Sequence, residues 1–367
     1  MTKKKKGTDG QKNTWKIAAV GVAIVLVAAG LYNFGLLPGI GGGKKPLEFH
    51  KGVGYVSWAS DGYLSEESDE SLKALRDTGA NWVSVLVTWY QNDCQSVEVK
   101  RMPELTPSDD AVIRAVRKAH ELGMKVMFKL HVDLLNQADG SWRGEIGCTN
   151  EPDWEKWFKS YTAYIMYYTE MAKKEKVEMV CVGTELTTTA TTKGYKWRDL
   201  IKEVRKKYKG YLTYAAHWDE YMDIRFWDLL DYVGINAYFP ISEKMDPSYE
   251  EIKAGWGVWV AEIEEFQKKI NMPIIFPESG CNSCDGALIR PWEHAPRREV
   301  NLRVQEDDYR VITEIFMNKE WFYGMFWWYW GTNKNMGGPY NRGFVPQNKP
   351  AEQVIKEAYS KDYVRVK

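Results

Sequence analysis

VEMVCVGTEL (177–186) and MPIIFPESG (272–280) are short apolar runs that reach a glutamate, Glu185 and Glu278, just as they give way to loop. Six further runs have the same strand-like character: GVGYVSW (52–58), NWVSVLVTWY (81–90), KVMFKLHVDL (125–134), YLTYAAHW (211–218), DYVGINAYF (231–239) and WFYGMFWWYW (321–330). Helical patterns lie between them, over 69–77, 108–122, 151–176, 197–208, 249–270, 305–318 and 351–359. Ser108 is placed to cap the second of these at its N-terminus, and Gly123 follows its end. Eight strands alternating with these helical patterns predict a parallel sheet with crossover helices. Eight such units in about 320 residues fit a (β/α)8 TIM barrel, an α/β fold. A doubly wound open sheet is the other arrangement with this alternation, but the first strand lacks the GxGxxG turn that commonly opens such a sheet.

Composition narrows the partners. The 367 residues carry 50 Lys+Arg against 50 Asp+Glu, a net charge of zero, which excludes the basic footprint of a nucleic-acid binder. Aromatic content is high, with 17 Trp, 22 Tyr and 12 Phe. On composition alone these rings are packing, although flat rings with a polar edge also suit extended polar ligands.

The N-terminus has its own logic. Residues 1–16 form a basic tail, with Lys3 to Lys6, Lys12 and Lys16. The apolar stretch 17–37 is 21 residues long, enough to cross a hydrocarbon core of ~30 Å. The lysine excess before it predicts a signal anchor with a cytoplasmic N-terminus and everything after Pro38 outside the cell. A cleaved signal peptide ending near Val27-Ala28-Ala29 is the rival, and both readings export the rest. Residues 38–46, rich in glycine, read as a flexible linker, leaving 47–367 as one catalytic-sized domain. Export places Cys94, Cys148, Cys281 and Cys284, all in polar stretches, where disulfides form, with three pairings open; Cys181, in an apolar run, reads as a buried hydrophobe. A zinc site on Cys281-x-x-Cys284 has no second ligand pair nearby in sequence.

In a barrel, chemistry sits where strands end on the C-terminal face. Glu185 closes the fourth run and Glu278 the seventh. Two carboxyl groups at one barrel mouth suit glycosidic bond cleavage, where one protonates the leaving oxygen and the other attacks the sugar or activates water. No metal or organic cofactor is needed for that chemistry. An esterase would need a nucleophile elbow, and the sequence has no GxSxG.

The ordered set of motifs resembles glycoside hydrolase family 113, whose characterised members include β-mannanases. It is carried by GVGYVSW, VTWYQ (87–91), KLHVDL (129–134) with WRGEI (142–146), VGTEL (182–186), TYAAHW (213–218), DYVGINAYFP (231–240), FPESG (276–280) with DGA (285–287), and FWWYW (326–330). The resemblance implies a retaining β-glycoside hydrolase acting on a β-1,4-mannan type polysaccharide or oligosaccharide, with Glu185 as general acid/base and Glu278 as nucleophile. Another β-glycan as substrate, and a carbohydrate-binding barrel without activity, are the alternatives. Two positions depart from the wider clan pattern: Thr184 stands where an asparagine usually precedes the acid/base, and Cys281-Asn-Ser-Cys284 follows the nucleophile where an aromatic is expected.

Other residues take candidate roles at the sugar site. Tyr238, two residues after Asn236, is expected to donate its hydroxyl to Glu278. His131 and Asp133 share parity with Lys129, and Trp142 and Arg143 follow in the next loop. Trp58, Trp89, Trp218, Trp328 and Trp330 close strands where a ring can stack on a pyranose, with Trp330 expected nearest the mouth. The expected state is a monomer bound to the membrane through its N-terminal segment.

Overall fold

A computed structural model describes residues 48–294, 297–363 and 365. The tail, apolar segment and linker expected over 1–46 lie outside these residues. Among the described residues, no helix is long and apolar enough to cross a membrane.

Eight parallel strands close into a barrel in sequence order: β1 (His50–Val56), β2 (Trp82–Gln91), β3 (Lys125–Leu134), β4 (Met179–Thr184), β5 (Tyr211–Ala216), β6 (Val233–Ala237), β7 (Ile274–Ser279) and β8 (Phe322–Gly331). Around it lie α1 (Glu66–Arg76), α2 (Asp109–Glu121), α3 (Glu151–Glu175), α4 (Thr187–Thr192), α5 (Gly194–Lys207), α6 (Tyr249–Ile270), α7 (Leu302–Phe316) and α8 (Pro350–Tyr359). The predicted (β/α)8 barrel is therefore present, with one difference in the count of crossovers. Between β5 and β6, where an ideal barrel has a helix and the sequence shows no helical pattern, the described chain makes only a 3-10 turn, Trp227–Leu229. α4 is the converse surprise: a threonine run whose β-branched side chains disfavour helix forms one short helix directly after Glu185.

Local signals explain most boundaries. The Ser108 side chain accepts from the Ala111 amide to open α2, and Gly123 (φ +80°) supplies the left-handed residue after it. α6 starts with a capping box between Ser248 and Glu251.

Three apolar layers account for the burial. Inside the barrel, Trp82, Met127, Met179, Cys181, Ala215, Tyr232, Ile275 and Phe326 fill the section away from the mouth, where buried His50 meets the Tyr232 hydroxyl at 3.2 Å. Between strands and helices lies the main core, and α3 supplies much of its aromatic content: Trp157, Tyr161, Tyr164 and Tyr168 are fully buried. Their polar edges find partners, Tyr161 on the Val182 carbonyl (2.6 Å) and Tyr164 on those of Val87 and His131 (2.9 and 3.0 Å). At the C-terminal mouth a third cluster joins Val56, Leu86, Tyr238, Trp328 and Phe344.

The expected disulfides are not formed; all five cysteines are free thiols. The thiols lie elsewhere: Cys281 is buried near the Asp308 carboxyl, and Cys94 donates to the Trp142 carbonyl at 3.5 Å. Cys181 is fully buried inside the barrel, as its apolar run predicts.

Candidate active site

Alternation on β3 turns Lys129, His131 and Asp133 to the inside of the barrel in successive layers, and each meets a carboxylate or a guanidinium from another element. Lys129, fully buried, places Nζ 2.9 Å from Glu278 Oε1, and His131 Nε2 stands 3.5 Å from the same oxygen. The Tyr238 hydroxyl donates to Glu278 Oε2 at 2.8 Å. Burial alone would raise the Glu278 carboxyl. The Lys129 charge and the adjacent His131 outweigh it and hold Glu278 well below the usual carboxylate range. Burial, helped by the charges of Arg143 and Lys129, keeps His131 itself below its ordinary value. Burial and the neighbouring Glu278 push the Tyr238 phenol well up, so it stays a donor.

Glu185 is reached differently. The β4–β5 register shifts between Cys181 and Thr184, which pairs with Ala215, and Glu185 then adopts a left-handed backbone (φ +51°) that aims its side chain into the mouth. For a non-glycine residue that conformation costs about 1–3 kcal/mol and must be held by its surroundings. The Glu185 amide donates to the Ala215 carbonyl at 2.8 Å, and the Leu186 amide to the Tyr214 hydroxyl at 2.9 Å. Gly183, two residues earlier, has no room for a side chain: a Cβ there would lie 2.6 Å from the Trp197 ring and 2.7 Å from the Tyr161 hydroxyl.

Arg143 ties the two halves together. Its Nη1 bonds Glu185 Oε2 at 2.9 Å, while Nε and Nη2 take Asp133 Oδ1 at 2.9 and 2.5 Å. Burial opposes the Asp133 charge, but Arg143 overcomes it and keeps the carboxyl below its ordinary value. Tyr90, raised to about 12 by burial and by the Asp133 charge, lies against this pair. The charges of Glu185 and Glu278 both act on Arg143, Tyr238 and His294, which marks one shared site.

Aromatic rings line the mouth on two sides. Trp328 lies nearly parallel to His131 (centroids 5.9 Å, 9°), with exposed Trp58 edge-on to Trp328 and Tyr329. On the Glu185 side, Trp142 and His217 approach to 5.0 Å, and Trp218 stacks on Trp292 (5.7 Å, 19°) with its indole N–H unpartnered among the described residues. Burial opposes a charge on His217, but its bond to Asp219 (2.6 Å) and the nearby Glu185 raise it above its ordinary value. Asn236 stands level with Glu278 in the β6–β7 register, fully buried, and both its amide atoms lack partners among the described residues.

Two expected site residues face elsewhere. Trp89 points out of the barrel, where it stacks on Tyr164 (4.8 Å) and donates to the Tyr168 hydroxyl (3.3 Å) of α3. Trp330 also points outward, its indole N–H on the Ser71 carbonyl and hydroxyl of α1, each at 3.1 Å. Although two residues from Trp328, it faces the other way because the β1–β8 register slips between Val53–Trp327 and Tyr55–Trp330. Sequence reasoning left Lys129, Tyr90, His217, Trp292 and His294 outside the candidate set. For Lys129 the signal was present: a lysine inside an apolar strand, in phase with His131, needs a buried counter-ion.

A closed parallel barrel whose C-terminal mouth holds two buried glutamates among aromatic rings has the layout of the barrel glycosidases. The model of Glycoside Hydrolase Family 113 matches residues 53–349, and the chain belongs to this family; it is a β-glycoside hydrolase whose substrate is a glycan. Among solved structures it is similar to a GH113 β-1,4-mannanase complex, at 30% identity and a TM-score of 0.77 over 86% of this chain and 99% of that one. It is equally similar to the GH113 β-mannanase AaManA from Alicyclobacillus acidocaldarius in complex with ManMIm, at 30% identity and a TM-score of 0.77 over 86% and 98% of the two chains. A β-glucuronidase from Ruminococcus gnavus, at 14% identity and a TM-score of 0.58, shares the fold alone. No curated protein matches the chain.

Proposed function

We propose that the protein is a β-mannanase that cleaves β-1,4-linked mannan by double displacement, with Glu278 as nucleophile and Glu185 as general acid/base. The observation that carries the reading is the pairing of Glu278 with Lys129 (2.9 Å) and Tyr238 (2.8 Å), which keeps a buried carboxylate ionised and fixed in place. The family supports glycosidic cleavage, and the two GH113 mannanase structures support mannan as the glycan.

In the first step Glu278 attacks the anomeric carbon, the glycosidic C–O bond breaks, and Glu185 gives its proton to the departing oxygen. In the second, Glu185 takes a proton from water, whose oxygen attacks the same carbon and releases Glu278. Two inversions leave the sugar with its original β configuration. Arg143 holds Glu185 to Asp133 and sets the direction from which the proton is delivered.

Glu278→Ala is expected to lose turnover and to regain it with azide on an activated aryl β-mannoside, giving the inverted glycosyl azide. A folded variant without rescue refutes the nucleophile assignment. The same proposal keeps the domain monomeric and exported behind the 17–37 anchor, as the lysine bias around that stretch supports. Protease accessibility on intact cells tests the export: a protected domain refutes it.

A further inference from the structure

Glu220 is a buried carboxylic acid in the loop after β5, away from the sugar-facing surface but joined through single residues to the turn that carries Glu185. Its Oε1 accepts from the Tyr214 hydroxyl (3.0 Å) and from the His217 amide (2.9 Å). The Tyr214 hydroxyl in turn accepts from the Leu186 amide at 2.9 Å, immediately after the left-handed Glu185. Both sides of the Glu185 environment thus meet on one group: the backbone that follows Glu185, and the amide of His217, whose ring acts on Glu185 electrostatically. Nothing in the chemistry of the two displacement steps uses Glu220, yet burying a carboxyl is costly unless its bonds are needed.

We propose that Glu220 is a positioning residue for Glu185: through Tyr214 it locks the β4–α4 turn in the strained conformation that aims the acid/base at the leaving oxygen. The proposal rests on the reading of Glu185 as acid/base. A loosened turn leaves Glu278 and the bound sugar untouched, so the loss falls on proton delivery. Burial pushes the Glu220 carboxyl up to about 7, so glutamine, neutral and of the same shape with an acceptor oxygen, reproduces much of what it does.

The test measures kcat and KM of Glu220→Ala, Glu220→Gln, Tyr214→Phe and Glu185→Gln on a mannan oligosaccharide and on a dinitrophenyl β-mannoside. The dinitrophenolate departs without protonation. Glu220→Ala and Tyr214→Phe are expected to lower kcat/KM, which reports the first displacement, about 10-fold or more on the oligosaccharide and only about 2-fold on the activated substrate, where kcat and KM fall together because the second displacement still needs Glu185 as base; Glu220→Gln stays close to wild type. Equal losses on both substrates, in variants that melt cooperatively, overturn the proposal and leave Glu220 as a purely structural group. Glu185→Gln separates the two levels. If it shows the leaving-group dependence and the Glu220 and Tyr214 variants do not, the positioning role is refuted alone. If Glu185→Gln shows none, the acid/base assignment falls and this proposal falls with it.

Discussion

Replacing Lys129 with methionine removes one charge and almost no volume from the floor of the site. Lys129 Nζ is 2.9 Å from Glu278 Oε1, and both side chains are at most 5% exposed. At that separation and an effective dielectric of about 20, the pair is worth about 6 kcal/mol, the equivalent of about four decades in proton affinity. Part of this is recovered: His131, 3.5 Å from the same oxygen, loses a neighbour that disfavours its charge and takes up a proton in place of the lysine. A carboxyl held low must be ionised to attack, so activity is present above its titration and is lost as pH falls through it. Freed from Lys129, the Glu278 carboxyl rises, and the acid limb of kcat/KM moves up by about two pH units or more. The assay is kcat/KM from pH 3 to 8 on an activated aryl β-mannoside, which removes the demand on the acid. Breaking one partner of a buried ion pair also lowers stability, by about 3–5 kcal/mol, so each profile is taken below the variant's melting temperature. An acid limb that stays where it is in folded Lys129→Met refutes the electrostatic account of Glu278.

Three further outcomes are expected. Tyr238→Phe removes a hydrogen bond to a charged oxygen worth about 1.5–3 kcal/mol, and kcat/KM falls about 10- to 100-fold; an unchanged value removes Tyr238 from the support of Glu278. Trp330→Ala empties a buried site against α1 and costs about 3–5 kcal/mol of stability with little change in KM, whereas Trp58→Ala, at an exposed ring, raises KM for long oligosaccharides with little change in melting temperature; the reverse pattern overturns the placement of the two rings. His50, lowered to about 3 by burial, is neutral in the fold and charged in the unfolded chain below about 6.5, so stability is present above that pH and is lost as pH falls toward 3. The stability difference between wild type and His50→Gln, measured by urea unfolding, should shift in favour of the variant by about 1.4 kcal/mol per pH unit between pH 6 and 4.5; a difference independent of pH contradicts it.

What the sequence reveals and what it hides have physical reasons. Strand ends show plainly, because an apolar run that breaks at a carboxyl marks the point where the chain leaves the core, and Glu185 and Glu278 follow from that. The shared face of Lys129, His131 and Asp133 follows from a period of two. Tryptophans were harder. A barrel strand is apolar on both faces, so Trp89 gives no sign of which face is inside, and the slip between β1 and β8 reverses Trp330 without any mark in FWWYW. The threonine helix after Glu185 contradicts its own propensity, and only the packing of its neighbours explains it. Glu220 was hidden for a related reason: in HWDEY it reads as a solvated loop acid, and its side-chain partner Tyr214 lies on β5.

The central claim is that Glu278 forms a bond to the sugar. Incubation with a 2-deoxy-2-fluoro-β-mannosyl fluoride, in which the second displacement is slowed, followed by peptic digestion and mass spectrometry, tests it directly. One fluoromannosyl ester is expected, on the peptide carrying Glu278. A label on any other residue, or no label together with release of the α-anomer from a natural substrate, contradicts the claim.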